Sequence, residues 1–300
     1  MRLGLGLPMF GEPPAGGWRG LLDVARHADA AGIDRLVVVD HVVLGADVDT
    51  YPWGRFPTGP DADWLAPLTL LTAIAAATER IRLATGILIA PLRPAPLLAK
   101  ETATLDVLSG GRLDLGVGTG WHRAELEALG VDHDARGRVL TDTIAACRKL
   151  WEDAPASFES ATVSFHDVWC RPAPVQPRLP VWFSGTLTRR NLDRIVTLGD
   201  GWIPIMGSTV DDVAAGAATL TAAFEAAGRD PSTFTVHAAL PVVRDEDGRA
   251  DPVATMAALP AYEAAGATDV QLPLKVFCAP DLHDAGAAID ALAAARSAAA

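Results

Sequence analysis

Strand-like and helix-like runs alternate eight times along this chain, and nothing else in it constrains the fold as strongly. Residues 33–39 form a nearly continuous apolar, β-branched run, broken only by Asp34 and Arg35. Such a run suits a strand covered on both faces, the condition inside a parallel sheet. Residues 18–31 before it have helical periodicity, with Leu21, Leu22, Val24, Ala25 and Ala28 as the apolar set and Gly32 as the stop. The same reading predicts strands over residues 2–8, 81–89, 113–117, 180–184, 201–204, 234–243 and 270–274. It predicts helices over residues 65–77, 96–108, 139–151, 189–198, 210–227, 253–265 and 282–295. Eight β–α pairs predict an α/β protein of the (β/α)8 TIM barrel type, with a doubly wound sheet as the structural rival. The 300 residues show no break in composition, so one barrel domain over 1–300 is expected. Residues 154–178 interrupt the alternation and are rich in Pro, Ser, Val and aromatics, which predicts an insertion outside the barrel.

Charge and cysteine usage narrow the function classes. The formal net charge is −12 and no basic cluster stands out, which argues against nucleic acid and anionic membrane as partners. No apolar stretch of about eighteen residues is free of charge, so no membrane helix is expected. The first residues read as a strand rather than as a signal peptide. Cys147, Cys170 and Cys278 are far apart and suit neither a disulfide framework nor a zinc site, so thiols in a reducing cytoplasm are expected. His122, His166 and His237 lack metal-ligand spacing, and no metal is expected.

In a barrel, the loops that follow strands line the functional rim. Asp40 and His41 close the second strand there. The pair can orient a ligand or act as an acid; alternatively Asp40 caps the next segment and His41 is a satisfied hydrogen-bonding group. Gly86 and Ile87 lie inside the third strand, where a glycine signals a bulge or a close backbone approach. Arg93, among Pro91, Pro94 and Pro96, can pair with an acid or a phosphate. The run GVGTG at residues 116–120 takes the fourth strand into a helix-like segment, so Gly118, Thr119, Gly120 and Trp121 form a candidate anion loop or a plain tight turn. Ser184, Gly185 and Thr186 make a second such loop after the fifth strand, where Thr186 or Thr188 can equally cap the helix. Residues 42–63 form a long loop suited to a lid or pocket wall. Trp53 and Phe56 on it and Trp64 just after it, with Trp121, suit stacking around a flat ring or simple packing; Trp53, Phe56 and Trp64 are the candidate substrate pocket.

Together these residues resemble the luciferase-like monooxygenase superfamily, and within it the branch of oxidoreductases that depend on the deazaflavin coenzyme F420. Four stretches carry the resemblance: VVVDH at 37–41, ATERIRLATG at 77–86, LAKETATLDVLSGGRLDLGVGTGW at 98–121 and LGDGW at 198–202. The resemblance implies a (β/α)8 barrel with an insertion and a flavin-type ring in the barrel mouth against a bulge at Gly86–Ile87, bent by a non-proline cis peptide. It implies ring contacts from Asp40 and His41, a phosphate-side loop at Gly118, Thr119 and Gly120, and a partner loop at Ser184 and Gly185. Homodimers are common in the superfamily. A homodimer is expected here through the helices after the second and third strands, on apolar residues around the circumference of 65–77. Some deazaflavin dehydrogenases carry a glutamate directly after the Gly-Thr-Gly loop as an acid; here Trp121 stands there, and Glu125 lies four residues on. That departure leaves His41 as the candidate proton donor. The implied activity is hydride transfer between F420 and a small organic substrate. The alternatives are a monooxygenase using reduced FMN and dioxygen, and a non-catalytic binder of a flavin-type cofactor.

Overall fold

The eight apolar runs close on themselves as parallel strands. A computed structural model describes residues 1–14 and 16–299. Its barrel strands are β1 (Arg2–Gly6), β2 (Arg35–Val38), β3 (Arg82–Ile89), β4 (Leu113–Gly118), β5 (Val181–Ser184), β6 (Gly201–Ile203), β7 (Thr235–Ala239) and β8 (Asp269–Pro273). Each strand pairs with its sequence neighbours, and β1 pairs with β8 to close the ring. The expected (β/α)8 barrel is the observed one, with strand ends shorter than expected by up to four residues. The outer helices are α1 (Gly20–Ala30), α2 (Pro67–Ala77), α3 (Ala95–Ser109), α4 (Arg123–Ala128), α5 (Arg136–Glu152), α6 (Arg189–Leu198), α7 (Val210–Ala226), α8 (Pro252–Met256), α9 (Leu259–Ala264) and α10 (Ala285–Ala299).

Local chemistry sets the helix ends. The Thr188 hydroxyl accepts from the Asn191 N–H and caps α6, the role left open between Thr186 and Thr188. Thr209 and Asp212 form a reciprocal capping box at α7. Gly110 closes α3 in the left-handed conformation. Arg112 donates to the carbonyls of Ala75, Thr78 and Ile81, satisfying the end of α2 and fixing it to the start of β4.

Two expectations are corrected and a third gains detail. The single helix over 253–265 is two, α8 and α9. Pro260 has no N–H to give, and its ring would crowd the carbonyl four residues back, so one continuous helix is broken. The insertion contains order: Ala156–Glu159 and Ser164–Val168 pair as an antiparallel hairpin beside α5. The apolar residues of α2 are not left outward. Leu68, Leu70, Leu71 and Ile74 are buried against the barrel and the flanking helices α1 and α3. Large exposed apolar side chains occur instead on α3 and the insertion, at Leu97, Leu108, Trp169 and Val175.

The floor of the barrel, at the strand starts, is charged and closed. Arg35 donates to Asp114 and Asp269, Arg82 to Asp114, and Arg2 to Asp269. The Arg35 guanidinium lies 4.6 Å from the centre of the Trp182 ring, which stacks at 3.5 Å on His237. Burial pushes the His237 imidazole down to about 3, against the pull of Asp269, so it is neutral at pH 7. With its floor sealed this way, the barrel is open to a ligand at the opposite rim. No helix among the described residues is long and apolar enough to cross a membrane, and no cluster of His, Cys, Asp and Glu among them could hold a metal ion.

Candidate active site

At the carboxyl rim, β3 is the strand that opens. Its residues 83–85 and 88–90 are buried, whereas Gly86 and Ile87 are partly exposed. Its pairing with β4 runs through Thr85 and resumes at Leu88, and its pairing with β2 ends at Thr85. The Gly86–Ile87 peptide is cis, as the family resemblance implies. Two residues of an otherwise buried strand therefore stand outside the ladder pairing on both sides. A side chain at position 86 is excluded, because a Cβ there would lie 2.6 Å from Val37 Cγ1.

Asp40 braces this bulge from β2. Its carboxylate accepts from the Ile89 N–H at 2.9 Å and from both Arg93 Nη atoms at 2.6 and 3.0 Å. Arg93 is thus the partner of an acid. With both oxygens engaged and the residue buried, Asp40 holds the end of β3 in place, and the acid role expected of it is not supported by this geometry.

His41 sits one residue on, among aromatic rings. Trp64 and Phe56 approach it edge-on, with ring centres at 4.8 and 5.3 Å, and Trp121 at 6.1 Å. Trp64 also stacks on Phe10 at 4.3 Å, and Tyr51 fills the cluster against Phe56 and Trp121. Trp53 touches only the outer edge, against Tyr51, and is 43 % exposed. The long loop thus brings Phe56 and Trp64 to His41 and leaves Trp53 at the rim.

The glutamate that the sequence left without a direction points at His41. Glu125 Oε2 lies 2.8 Å from His41 Nδ1, and Oε1 accepts from the Val42 N–H at 2.6 Å. Glu125 is 1 % exposed. The expectation that His41 acts without a neighbouring acid is corrected: the acid enters from the third residue of α4. Its side chain makes no capping bond at its own helix start, so no capping signal in the sequence marks it. The same segment pins the lid a second time, since the Gly45 N–H donates to His122 Nε2 at 2.7 Å. Tyr51 and His122 are further rim residues that the sequence reading did not assign.

The two small-residue loops leave adjacent strands at one level. Val117 pairs with Phe183, so Gly118 and Ser184 follow side by side. Gly120 has φ +73° and a Cβ there would lie 2.7 Å from Ile89 Cγ2, so only glycine fits. The loop at Ser184–Thr186 is fixed from behind: Asn191 Nδ2 donates to the Ser184 and Thr186 carbonyls, and Trp202 Nε1 to that of Gly185. Thr119, Gly120, Ser184, Gly185 and Thr186 keep surface open to the mouth. Trp121 Nε1 is sealed from solvent without a hydrogen-bond partner.

These features fit a planar, phosphate-bearing cofactor. An opened strand, an aromatic recess around His41 and two rigid glycine loops share the carboxyl rim, where backbone N–H groups can meet an anion.

Comparison with known proteins agrees. The model of the luciferase-like monooxygenase family matches residues 1–296. Protein Rv0953c of Mycobacterium tuberculosis, uncharacterised, is 36% identical over 184 residues, which cover 60% of this chain and 65% of that protein. An FMNH(2)-dependent dimethylsulfone monooxygenase of Pseudomonas putida is 33% identical over 165 residues, covering 54% of this chain and 45% of that protein. The matches thus span less than two thirds of either relative. The crystal structure of the monooxygenase RslO1 from Streptomyces bottropensis superposes with a TM-score of 0.80 at 21% identity, covering 98% of both chains. An F420-dependent secondary alcohol dehydrogenase, in complex with an F420-acetone adduct, superposes with a TM-score of 0.79 at 17% identity, covering 100% of this chain and 99% of that one. At these identities the structures speak for the fold alone. The match of the family model along nearly the whole chain shows that the protein belongs to the luciferase-like monooxygenase family.

Proposed function

We propose that the protein is an oxidoreductase that uses the deazaflavin F420 and transfers hydride to or from a small organic substrate in the barrel mouth. The observation that carries this reading is the His41–Glu125 pair beside the opened strand β3. Exchange of hydride with a carbon–oxygen bond requires a group that takes or gives one proton at the oxygen. An imidazole buried among aromatic rings, with one nitrogen held by a carboxylate, supplies that group.

When bound, the deazaflavin supplies the two-electron hydride chemistry. Gly86 and Ile87 would face its ring, Gly118, Thr119, Gly120 and Trp121 would lie along its phosphate side, and Ser184, Gly185 and Thr186 would complete that side. Asp40 keeps the β3 bulge in position through Ile89 and Arg93. Phe56 and Trp64 exclude water around His41, and Trp53 stands at the substrate entrance. His41 holds or moves the proton at Nε2.

A second reading is a monooxygenase using reduced FMN and dioxygen, favoured by the 33% identity to the dimethylsulfone enzyme. The third is a binder without turnover. One variant separates enzyme from binder. His41→Ala is expected to lower kcat about 10²- to 10⁴-fold, the contribution of a general acid or base, while cofactor affinity changes little. Turnover at the wild-type rate in His41→Ala would refute the role of His41.

A further inference from the structure

We infer that Glu125 is a positioning residue that sets the tautomer of His41, keeping the ring proton on Nδ1 and offering Nε2 to the mouth as an acceptor. The inference rests on the reading of His41 as the proton-handling group.

Two donors converge on Glu125. One is the Val42 N–H at 2.6 Å, which belongs to the backbone and cannot reverse its polarity. The other position is His41 Nδ1, 2.8 Å from the second oxygen. An ionised carboxylate has acceptors and no donor, so it binds a protonated Nδ1 and repels a bare one. At 1 % exposure the carboxylate has no water to replace a lost partner, so the tautomer that leaves Oε2 unpaired is disfavoured.

The other ring nitrogen is differently placed. His41 Nε2 has no hydrogen-bond partner among the described residues, and it is not among the polar atoms sealed from solvent, as Trp121 Nε1 and His122 Nδ1 are. It is therefore the nitrogen that a ligand in the mouth meets. With the proton fixed on Nδ1, Nε2 carries the lone pair and takes the hydroxyl proton of an alcohol; the protonated ring returns it to a carbonyl oxygen in the reverse direction. The sequence places Glu125 and His41 84 residues apart, so the pairing exists only through the fold.

Glutamine distinguishes this from mere packing. The amide side chain of a Glu125→Gln variant has one acceptor and one donor at the same two positions. The Val42 N–H claims the acceptor, so the amide N–H₂ faces Nδ1 and makes it an acceptor. Glu125→Gln is therefore expected to move the ring proton to Nε2, whereas Glu125→Asp keeps two acceptors and the Nδ1–H form. Inverting the tautomer of a carboxylate-held histidine costs up to about 10⁴-fold in kcat.

The test is two-bond ¹H–¹⁵N correlation of the imidazoles in the cofactor-free protein at about pH 8, above the ordinary imidazole value. The chain has seven histidines, and the His41 signals are those lost in His41→Asn. The expected wild-type pattern is protonated Nδ1 and bare Nε2. Glu125→Gln should show the inverse, with kcat down at least tenfold and KM within about twofold, and Glu125→Asp should restore the pattern and part of kcat. A wild-type ring protonated at Nε2, or at both nitrogens, overturns the inference, as does an unchanged pattern in Glu125→Gln. If Glu125→Gln does not fold, the wild-type and Glu125→Asp spectra decide alone. The spectra need no cofactor or substrate. A wrong tautomer therefore fails this inference, whereas full turnover in His41→Ala fails the functional reading.

Discussion

At the scale of single residues, Asp40 and His41 are neighbours in sequence with unlike surroundings: an arginine clamp for one, a ring of aromatic side chains for the other. Asp40 and His41 stood out because they close β2 at the rim, where any barrel presents its chemistry. Their partners come from far away in sequence: Arg93 and Ile89 for Asp40, Glu125 for His41. His237 illustrates the same limit, since nothing in its local sequence marks it as a floor residue stacked on Trp182. Its depressed value has a consequence for stability. Burial holds folded His237 near 3, whereas an unfolded histidine titrates near 6.5. Between those values the unfolded chain binds a proton that the folded one does not, so stability falls as pH falls. The slope is up to about 1.4 kcal/mol per pH unit through that window. Urea unfolding from pH 7 to pH 4 should show a steeper loss for the wild type than for His237→Gln. Equal slopes would mean that His237 does not carry this dependence.

At the scale of elements, the barrel strands were legible because burial on both faces leaves an apolar run that polar surface strands lack. The insertion hairpin was not, because its second strand, Ser164–Val168, has no fully buried residue and so writes no apolar pattern. The break between α8 and α9 was legible in principle at Pro260. The β3–β4 edge yields a prediction that separates fold from binding. A Cβ on Gly116 would lie 2.1 Å from the Thr85 carbonyl oxygen, which is backbone and cannot turn aside. A Cβ on Gly118 would meet the Ile87 side chain at 2.9 Å, and that chain can rotate away. Gly116→Ala should therefore cost about 3 kcal/mol or more, and Gly118→Ala about 1 kcal/mol. Gly118→Ala should instead weaken cofactor binding, since Ile87 is displaced toward the ring position. Equilibrium unfolding and cofactor titration of the two variants check this; similar stabilities would contradict the close approach of β3 and β4.

At the scale of the whole molecule, the alternation that predicted the barrel also placed the functional rim, because a closed parallel sheet has only one end where loops follow strands. The outer surface was less legible. An apolar helix reads the same whether a neighbour in its own chain or a second copy covers it, and α2 proved to be covered by α1 and α3. The exposed large apolar side chains include Leu97 and Leu108 of α3 with Trp169 and Val175 of the insertion, of which Leu108 and Trp169 are 62% and 66% exposed. We expect a homodimer through these side chains. Light scattering should give twice the chain mass of 31.4 kDa, and Trp169→Lys with Leu108→Lys should return it to one chain mass. A wild-type protein that stays at one chain mass as concentration rises would remove the dimer.

Equilibrium titration of the purified protein with the deazaflavin and with FMN decides which cofactor the barrel mouth takes. Both cofactors carry a flat ring and a phosphate, so the comparison is of affinity for the one site proposed. The deazaflavin is expected to bind more tightly, and to exchange hydride with an alcohol or carbonyl substrate without consumption of dioxygen. Tighter binding of FMN, with turnover that consumes dioxygen, would contradict it.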